Sequence, residues 1–84
     1  MFTYVFKPQV ARDIKKLPKE VQKRILKKLD FFVASENPLI FADHLISYDL
    51  GQYRFRIGDY RVIFDLEDRT IVILTMGHRR EIYK

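Results

Sequence analysis

Residues 53–64, YRFRIGDYRVIF, constrain the fold more than any other stretch of the chain. Tyr53, Arg54, Phe55, Arg56 and Ile57 alternate with period two, as a half-buried strand must. Gly58-Asp59 supplies a two-residue turn in which glycine takes a positive φ without steric cost. Tyr60 to Phe64 then return as a second strand. With that turn, Ile57 faces Tyr60, Arg56 faces Arg61 and Phe55 faces Val62. One face carries Tyr53, Phe55, Ile57, Tyr60, Val62 and Phe64; the other carries Arg54, Arg56 and Arg61. Two arginines set directly opposite repel, and weaken a hairpin unless an anion or an acidic group lies over them. A sheet that needed only stability would place opposite charges there, so the pair points to an anion site.

The rest of the chain fits around this hairpin. Phe2 to Phe6 is a β-branched and aromatic run that predicts a first strand, ended by Lys7-Pro8. Pro8 suits the first turn of a helix, and Val10, Ile14 and Leu17 at i, i+4 and i+7 give that helix an apolar stripe. Leu17-Pro18 breaks it. Pro18, with Glu20 in the first turn, opens a second helix. Val21, Ile25, Leu29 and Phe32 form its stripe, supported by Leu26 and Val33. Two helices joined with almost no loop make an αα-hairpin, closed by Asn37-Pro38. Residues 39–50 have no clean period and read as a loop with a short strand or turn. Residues 67–69 read as a turn, and Thr70 to Met76 as a strand buried on both faces. The predicted order is β-α-α-β-β-β, an α+β fold in which a helical hairpin packs on a twisted antiparallel sheet. Residues 1–84 form a single domain, with no repeat and no low-complexity segment.

Composition narrows the function. There is no cysteine, which excludes disulfides and thiolate metal sites and fits a reducing compartment. No apolar run approaches a membrane span, and the N-terminus lacks the layout of a secretory signal, so a cytoplasmic location is expected. His44 and His78 lack metal-ligand spacing, and no zinc-protease, phosphate-loop or nucleophile-elbow motif is present. No metal and no cofactor are expected. Asp65, Glu67 and Asp68 read as turn and solubility residues, and Ser35 and Ser47 have no visible base partner. The net charge of +5 points to a polyanionic or acidic partner, the plain alternative being a surface that merely uses Lys and Arg.

The pairing extends to the last strand. If residues 67–69 are the loop, Arg61 faces Thr75 and Ile63 faces Ile73. Ile71, Ile73, Thr75, Gly77 and Arg79 then share the arginine face, and Arg79 falls at the end of the sheet where Arg56 and Arg61 sit. A loop one residue longer would reverse this parity. Clustered arginines suit a phosphodiester, because each guanidinium offers a planar fork of donors to phosphate oxygens. When a 2′-OH attacks a phosphate, charge builds on the non-bridging oxygens, and preorganised cations there lower the barrier.

Two further surfaces follow. Lys16, Lys19, Lys23, Arg24, Lys27 and Lys28 lie outside the apolar stripe of the second helix. Lys19, Lys23, Arg24 and Lys27, with Arg80 of the tail, are candidate RNA-backbone contacts, against the alternative of a solvated helical face. On the expected register Ile63, Ile71 and Ile73 are apolar residues that the helices do not cover. Either a loop such as residues 39–48 covers them or a partner does, which makes them candidate partner-binding residues.

YRFRIGDYRVIF followed by IVILTMGHRREIY resembles the RelE/ParE superfamily of bacterial and archaeal toxins, and FKPQVARDIKKLPKEVQKRI resembles its opening strand and helical hairpin. The likeness is weakest over residues 36–50. It implies an endoribonuclease that enters the ribosomal A site and cuts mRNA without a metal, leaving a cyclic phosphate and a 5′-hydroxyl. By position, Arg61 matches the arginine that stabilises the phosphate charge. Arg79 matches the tail arginine that supports the leaving side, and Tyr83 the tyrosine that stacks on or orients a base. Arg54 and Arg56 stand where members place lysines or arginines. An arginine is always protonated and makes a poor general base. The resemblance therefore leaves Tyr83 and His78 as candidate bases, or catalysis by electrostatics and orientation alone in a slow enzyme. It also implies a cognate acidic, RelB-like antitoxin that covers the basic site and the isoleucines, with promoter DNA bound only through that antitoxin. The alternatives are a ParE-like poison of DNA gyrase and a non-catalytic nucleic-acid-binding module.

Overall fold

The computed structural model describes residues 1–46 and 49–82. The chain runs β1 (Thr3–Phe6), α1 (Pro8–Ile14), α2 (Lys19–Ala34), a short 3-10 helix (Pro38–Phe41), β2 (Ala42–His44), β3 (Tyr53–Ile57), β4 (Tyr60–Glu67) and β5 (Thr70–His78). This is the expected α+β architecture with one strand more. Strand β2 lies in the aperiodic stretch, and at three residues it is too short to display a period.

The sheet order is β1-β5-β4-β3-β2. The helical hairpin carries the chain from one edge of the sheet to the other, and β2 to β5 then return as an antiparallel meander. That return brings β5 beside β1 in parallel, so the sheet is mixed and not antiparallel throughout as expected. Both helices lie on one face. Val10 and Ile14 of α1 and Ile25, Leu29 and Phe32 of α2 bury their stripes against Phe55, Ile57, Val62, Phe64, Ile71, Ile73 and Met76. Phe32 stacks on Phe55 at 4.3 Å between ring centroids, and Phe55 on Phe64 at 4.4 Å. The break between the helices is closed by Gln22, whose side-chain amide donates to the Leu17 carbonyl at 2.7 Å. Among the described residues, no helix is long and apolar enough to cross a membrane.

The β3–β4 hairpin has the expected register, with Ile57 opposite Tyr60, Arg56 opposite Arg61 and Phe55 opposite Val62. Gly58 takes φ +59°, the conformation that only glycine adopts freely. The β4–β5 register differs from expectation. Its turn is Asp68-Arg69 alone, with Glu67 opposite Thr70 and Asp68 at φ +55°. Further along, Phe64 faces Ile73 while Ile63 faces Thr75, so Leu74 takes no cross-strand partner and forms a β-bulge.

The bulge decides where the isoleucines go. Before it, Ile71 and Ile73 share the helix face with Leu66 and Phe64, and both are 0% exposed. After it, Thr75 and Gly77 turn to the arginine face. Ile63 does lie on the arginine face, but it too is 0% exposed, because the chain at Gly51 lies over it together with Leu74. The expected apolar patch of Ile63, Ile71 and Ile73 therefore does not exist. A shorter turn and a bulge move two of the three into the core, and the chain's own loop covers the third.

Candidate functional site

The face of the sheet opposite the helices carries the arginines. Arg61 stands on β4, half-buried, opposite Gly77 of β5, a position without a side chain. Its Nη1 donates to the carbonyls of Gly58 at 2.9 Å and Tyr60 at 3.0 Å, so the guanidinium is curled back over the hairpin turn. Arg79 reaches the same turn from the other side. Its backbone N–H donates to the Asp59 carbonyl at 2.7 Å, and its Nε lies 3.7 Å from Asp59 Oδ1. Arg24 approaches from α2, its Nη1 standing 3.5 Å from where a Cβ on Gly58 would be. The two-residue turn is thus ringed by three guanidinium groups drawn from three elements.

Arg56 and Arg54 extend the cluster along β3. The cross-strand repulsion expected between Arg56 and Arg61 is offset by a residue that the sequence alone did not single out. Asp43 on β2 lies opposite Arg54. Its Oδ2 accepts from Arg54 Nη2 at 2.9 Å and Nε at 3.1 Å, and it lies 3.1 Å from Arg56 Nε. Nothing in the local pattern of Ala42-Asp43-His44 announces this. The signal would have been an acid eleven residues before Arg54, on a strand recognisable only once paired. Of these five guanidinium groups, Arg54 and Arg56 share Asp43, and Arg79 lies beside Asp59.

The other candidates are placed as follows. Lys19, Lys23 and Lys27 are exposed on α2, and Lys27 lines a groove with Arg24, Lys28 and Phe31. Arg24 joins this helical face to the turn. Arg80 is exposed beyond β5, and its backbone N–H donates to His78 Nδ1 at 3.1 Å. His78 pairs with Tyr60 and sits on the face away from the arginines, as the hairpin parity requires. The backbone turns back at residues 79–82, where Glu81 and Ile82 N–H groups donate to the His78 carbonyl at 2.8 and 3.0 Å. A Cβ on Gly77 would lie 3.7 Å from Ile82 Cδ1, so Ile82 lies over the position that faces Arg61. Tyr83, next in the chain, lies outside the described residues. Among the described residues, no group of His, Asp and Glu is arranged to hold a metal ion.

Known proteins share this sequence pattern and fold. Residues 4–83 match the family described as ParE toxin of type II toxin-antitoxin system, parDE. Toxin RelG of Mycobacterium tuberculosis is 31% identical over 85 residues, which span 99% of this chain and 97% of that protein. The toxin-antitoxin complex RelBE2 from M. tuberculosis contains a chain of similar structure, with TM-score 0.78 and 30% identity, covering 93% of this chain and 98% of that one. The archaeal RelE-RelB complex from Pyrococcus horikoshii gives TM-score 0.72 at 30% identity, covering 95% and 96% of the two chains. The RelB-RelE complex from Methanococcus jannaschii gives 0.72 at 26% identity, covering 94% of each. Matched by the family over residues 4–83 and by RelE-type chains over nearly its full length, the chain belongs to the RelE/ParE superfamily of type II toxin-antitoxin toxins, on its RelE side.

Proposed function

We propose that this toxin is an endoribonuclease that enters the ribosomal A site and cuts mRNA there by attack of a 2′-OH on the adjacent phosphate. The new bond joins the 2′-oxygen to phosphorus. The bond to the 5′-oxygen breaks, leaving a cyclic phosphate and a 5′-hydroxyl. The observation that supports this most is the convergence of Arg61, Arg56 and Arg79 on the Gly58-Asp59 end of the sheet. Arg61 is held by two backbone carbonyls, so it meets developing charge on the non-bridging oxygens without first having to order itself. Arg79 stands on the far side of the turn, where the leaving oxygen gathers charge. Arg54 and Arg56 supply further positive charge along β3, and Tyr83 orients a base.

The carboxylates beside the arginines, Asp43 and Asp59, are each paired with a guanidinium. Charge stabilisation and substrate orientation by the arginines carry this reading, with Tyr83 as a candidate base. Lys19, Lys23, Arg24, Lys27 and Arg80 hold ribosomal or messenger RNA through its phosphates. The solved relatives are toxin–antitoxin complexes, and an acidic RelB-type antitoxin is the partner assigned here. That partner does not use Ile63, Ile71 or Ile73, which are buried.

The test is to add the purified domain to programmed ribosomes and map mRNA ends. Cuts confined to A-site codons, abolished by Arg61→Ala, are the expected result. Intact mRNA, or equal cutting by the variant, overturns the reading. The name of the matching family favours a second reading, poisoning of DNA gyrase. Loss of supercoiling with intact mRNA would establish that one instead.

A further inference from the structure

We infer that Asp43 is a positioning residue of the arginine site, acting through Arg56. The inference rests on the ribonuclease reading above. Strand β2 is three residues long, and its pairing with β3 puts Asp43 directly across from Arg54. A single carboxylate oxygen, Oδ2, then serves both arginines of that face of β3, which stand two residues apart.

The two arginines are held differently. Arg54 gives Asp43 both its Nε and its Nη2, and its side chain is only 25% exposed. It is anchored along the sheet. Arg56 approaches Asp43 through Nε at 3.1 Å, and its side chain is 62% exposed. The Nη end, which holds most of the N–H donors of a guanidinium, is the part a phosphate engages in a fork. Contact at Nε fixes the direction of that fork without occupying it.

Electrostatics requires such a contact. Arg56 faces Arg61 directly across β3 and β4, and without a counter-charge the two would splay apart. Asp43 supplies the counter-charge from the side, on a third strand. An ion pair this exposed adds little to the stability of a fold. Its consequence is geometric: it draws the Arg56 guanidinium toward β2, away from Arg61, and so sets where its Nη end meets a phosphate.

The test is a double-mutant cycle on ribosome-bound mRNA with Asp43→Asn, Arg56→Ala and the pair, reading kcat, KM and the thermal midpoint. Asp43→Asn should lower kcat by about tenfold to a hundredfold, the loss typical of a misplaced catalytic contact. KM should stay the same or fall, because the chain gains a positive charge toward RNA. Asp43→Glu should recover part of the rate. In the Arg56→Ala background the effect of Asp43→Asn on kcat should shrink to what its contact with Arg54 contributes. A wild-type kcat in Asp43→Asn overturns the inference, and so does a double variant whose loss is the product of the two single losses. If Asp43→Asn fails to fold, Asp43→Glu decides: a folded variant with reduced kcat supports the inference, and one with wild-type kcat overturns it. A wild-type protein that leaves ribosome-bound mRNA intact instead overturns the ribonuclease reading, and the inference with it.

Discussion

Gly51 lies so close against Ile63 that a Cβ on the glycine would stand 2.7 Å from Ile63 Cγ2, and 3.0 Å from Leu74 Cδ1. Ile63 is β-branched and stiff at χ1, so its methyl group cannot swing aside. Gly51→Ala must instead push the loop off the sheet, where the Gln52 N–H donates to Asp65 at 2.8 Å and Gln52 Oε1 accepts from the Leu66 N–H at 2.9 Å. A loss of about 1–3 kcal/mol is expected, as for other overpacked sites. Urea unfolding of the two proteins measures it, and an unchanged midpoint would show that the loop yields freely.

Ile73 belongs to the core and not to a docking surface. Ile73→Ala should cost about 2–5 kcal/mol by leaving a cavity among packed side chains. A variant of near wild-type stability, with weakened antitoxin binding, would return this residue to the surface.

Arg61→Ala should lower the rate of mRNA cleavage by about a hundredfold to a thousandfold, the usual loss for a preorganised donor to a developing oxyanion. Stability should change little, because among the described residues the side chain bonds to the exposed turn carbonyls of Gly58 and Tyr60. Arg61→Lys should remain well below wild type, since an ammonium cannot hold those carbonyls and also present a planar fork. Single-turnover cleavage on programmed ribosomes gives both numbers.

Lys23 and Lys27 are exposed, one helical turn apart on α2. Replacing both with alanine should weaken ribosome association and lower the slope of log K against log salt by about one per lysine. Thermal stability should not move. A parallel shift of the binding curve with unchanged slope would mean that neither lysine meets a phosphate.

Tyr4 donates its hydroxyl to Asp30 at 2.9 Å, and burial first, then that bond and the Asp30 charge, push its phenol up. The folded protein therefore holds this proton more tightly than the unfolded chain does. The stability it contributes is complete below the ordinary tyrosine pKa of about 10 and is lost as pH rises through the higher folded value. Unfolding free energy should thus decline with pH above about 10, and Tyr4→Phe should flatten that decline. Urea titrations across this range test it; an equal slope in both proteins would assign the decline elsewhere.

The hairpin, both helices and the facing of Arg56 and Arg61 are legible in the sequence, because each rests on a short-range period or a turn signal. The register of β5 is not. It depends on whether residue 67 closes the turn or pairs, and on whether Leu74 is taken into the ladder or left out. Both are settled by packing against the helices, which wants Ile71, Ile73 and Met76 on one face and cannot have them all with strict alternation. The error over Ile71 and Ile73 follows from that slip, and the error over Ile63 from the loop at Gly51 that covers it. Asp43 is hidden for a related reason: its meaning lies wholly in the residue across from it. Arg24 reads from its helix as one more solvated cation, and only the tertiary fold brings it to Gly58.

The parallel pairing of β1 with β5 has a consequence for how the toxin comes into being. Thr3 finds its partner in Thr70, across almost the whole chain. During synthesis β1 therefore emerges with no strand to join. The β3–β4 hairpin can close early through its own tight turn, but until residues 70–79 have followed, β4 is an open edge and Arg79 is missing from the turn. Long-range closure of this kind comes late in folding. The strand that pins the first residues also brings Arg79 to the turn, so closure of the sheet and assembly of the arginine cluster go together.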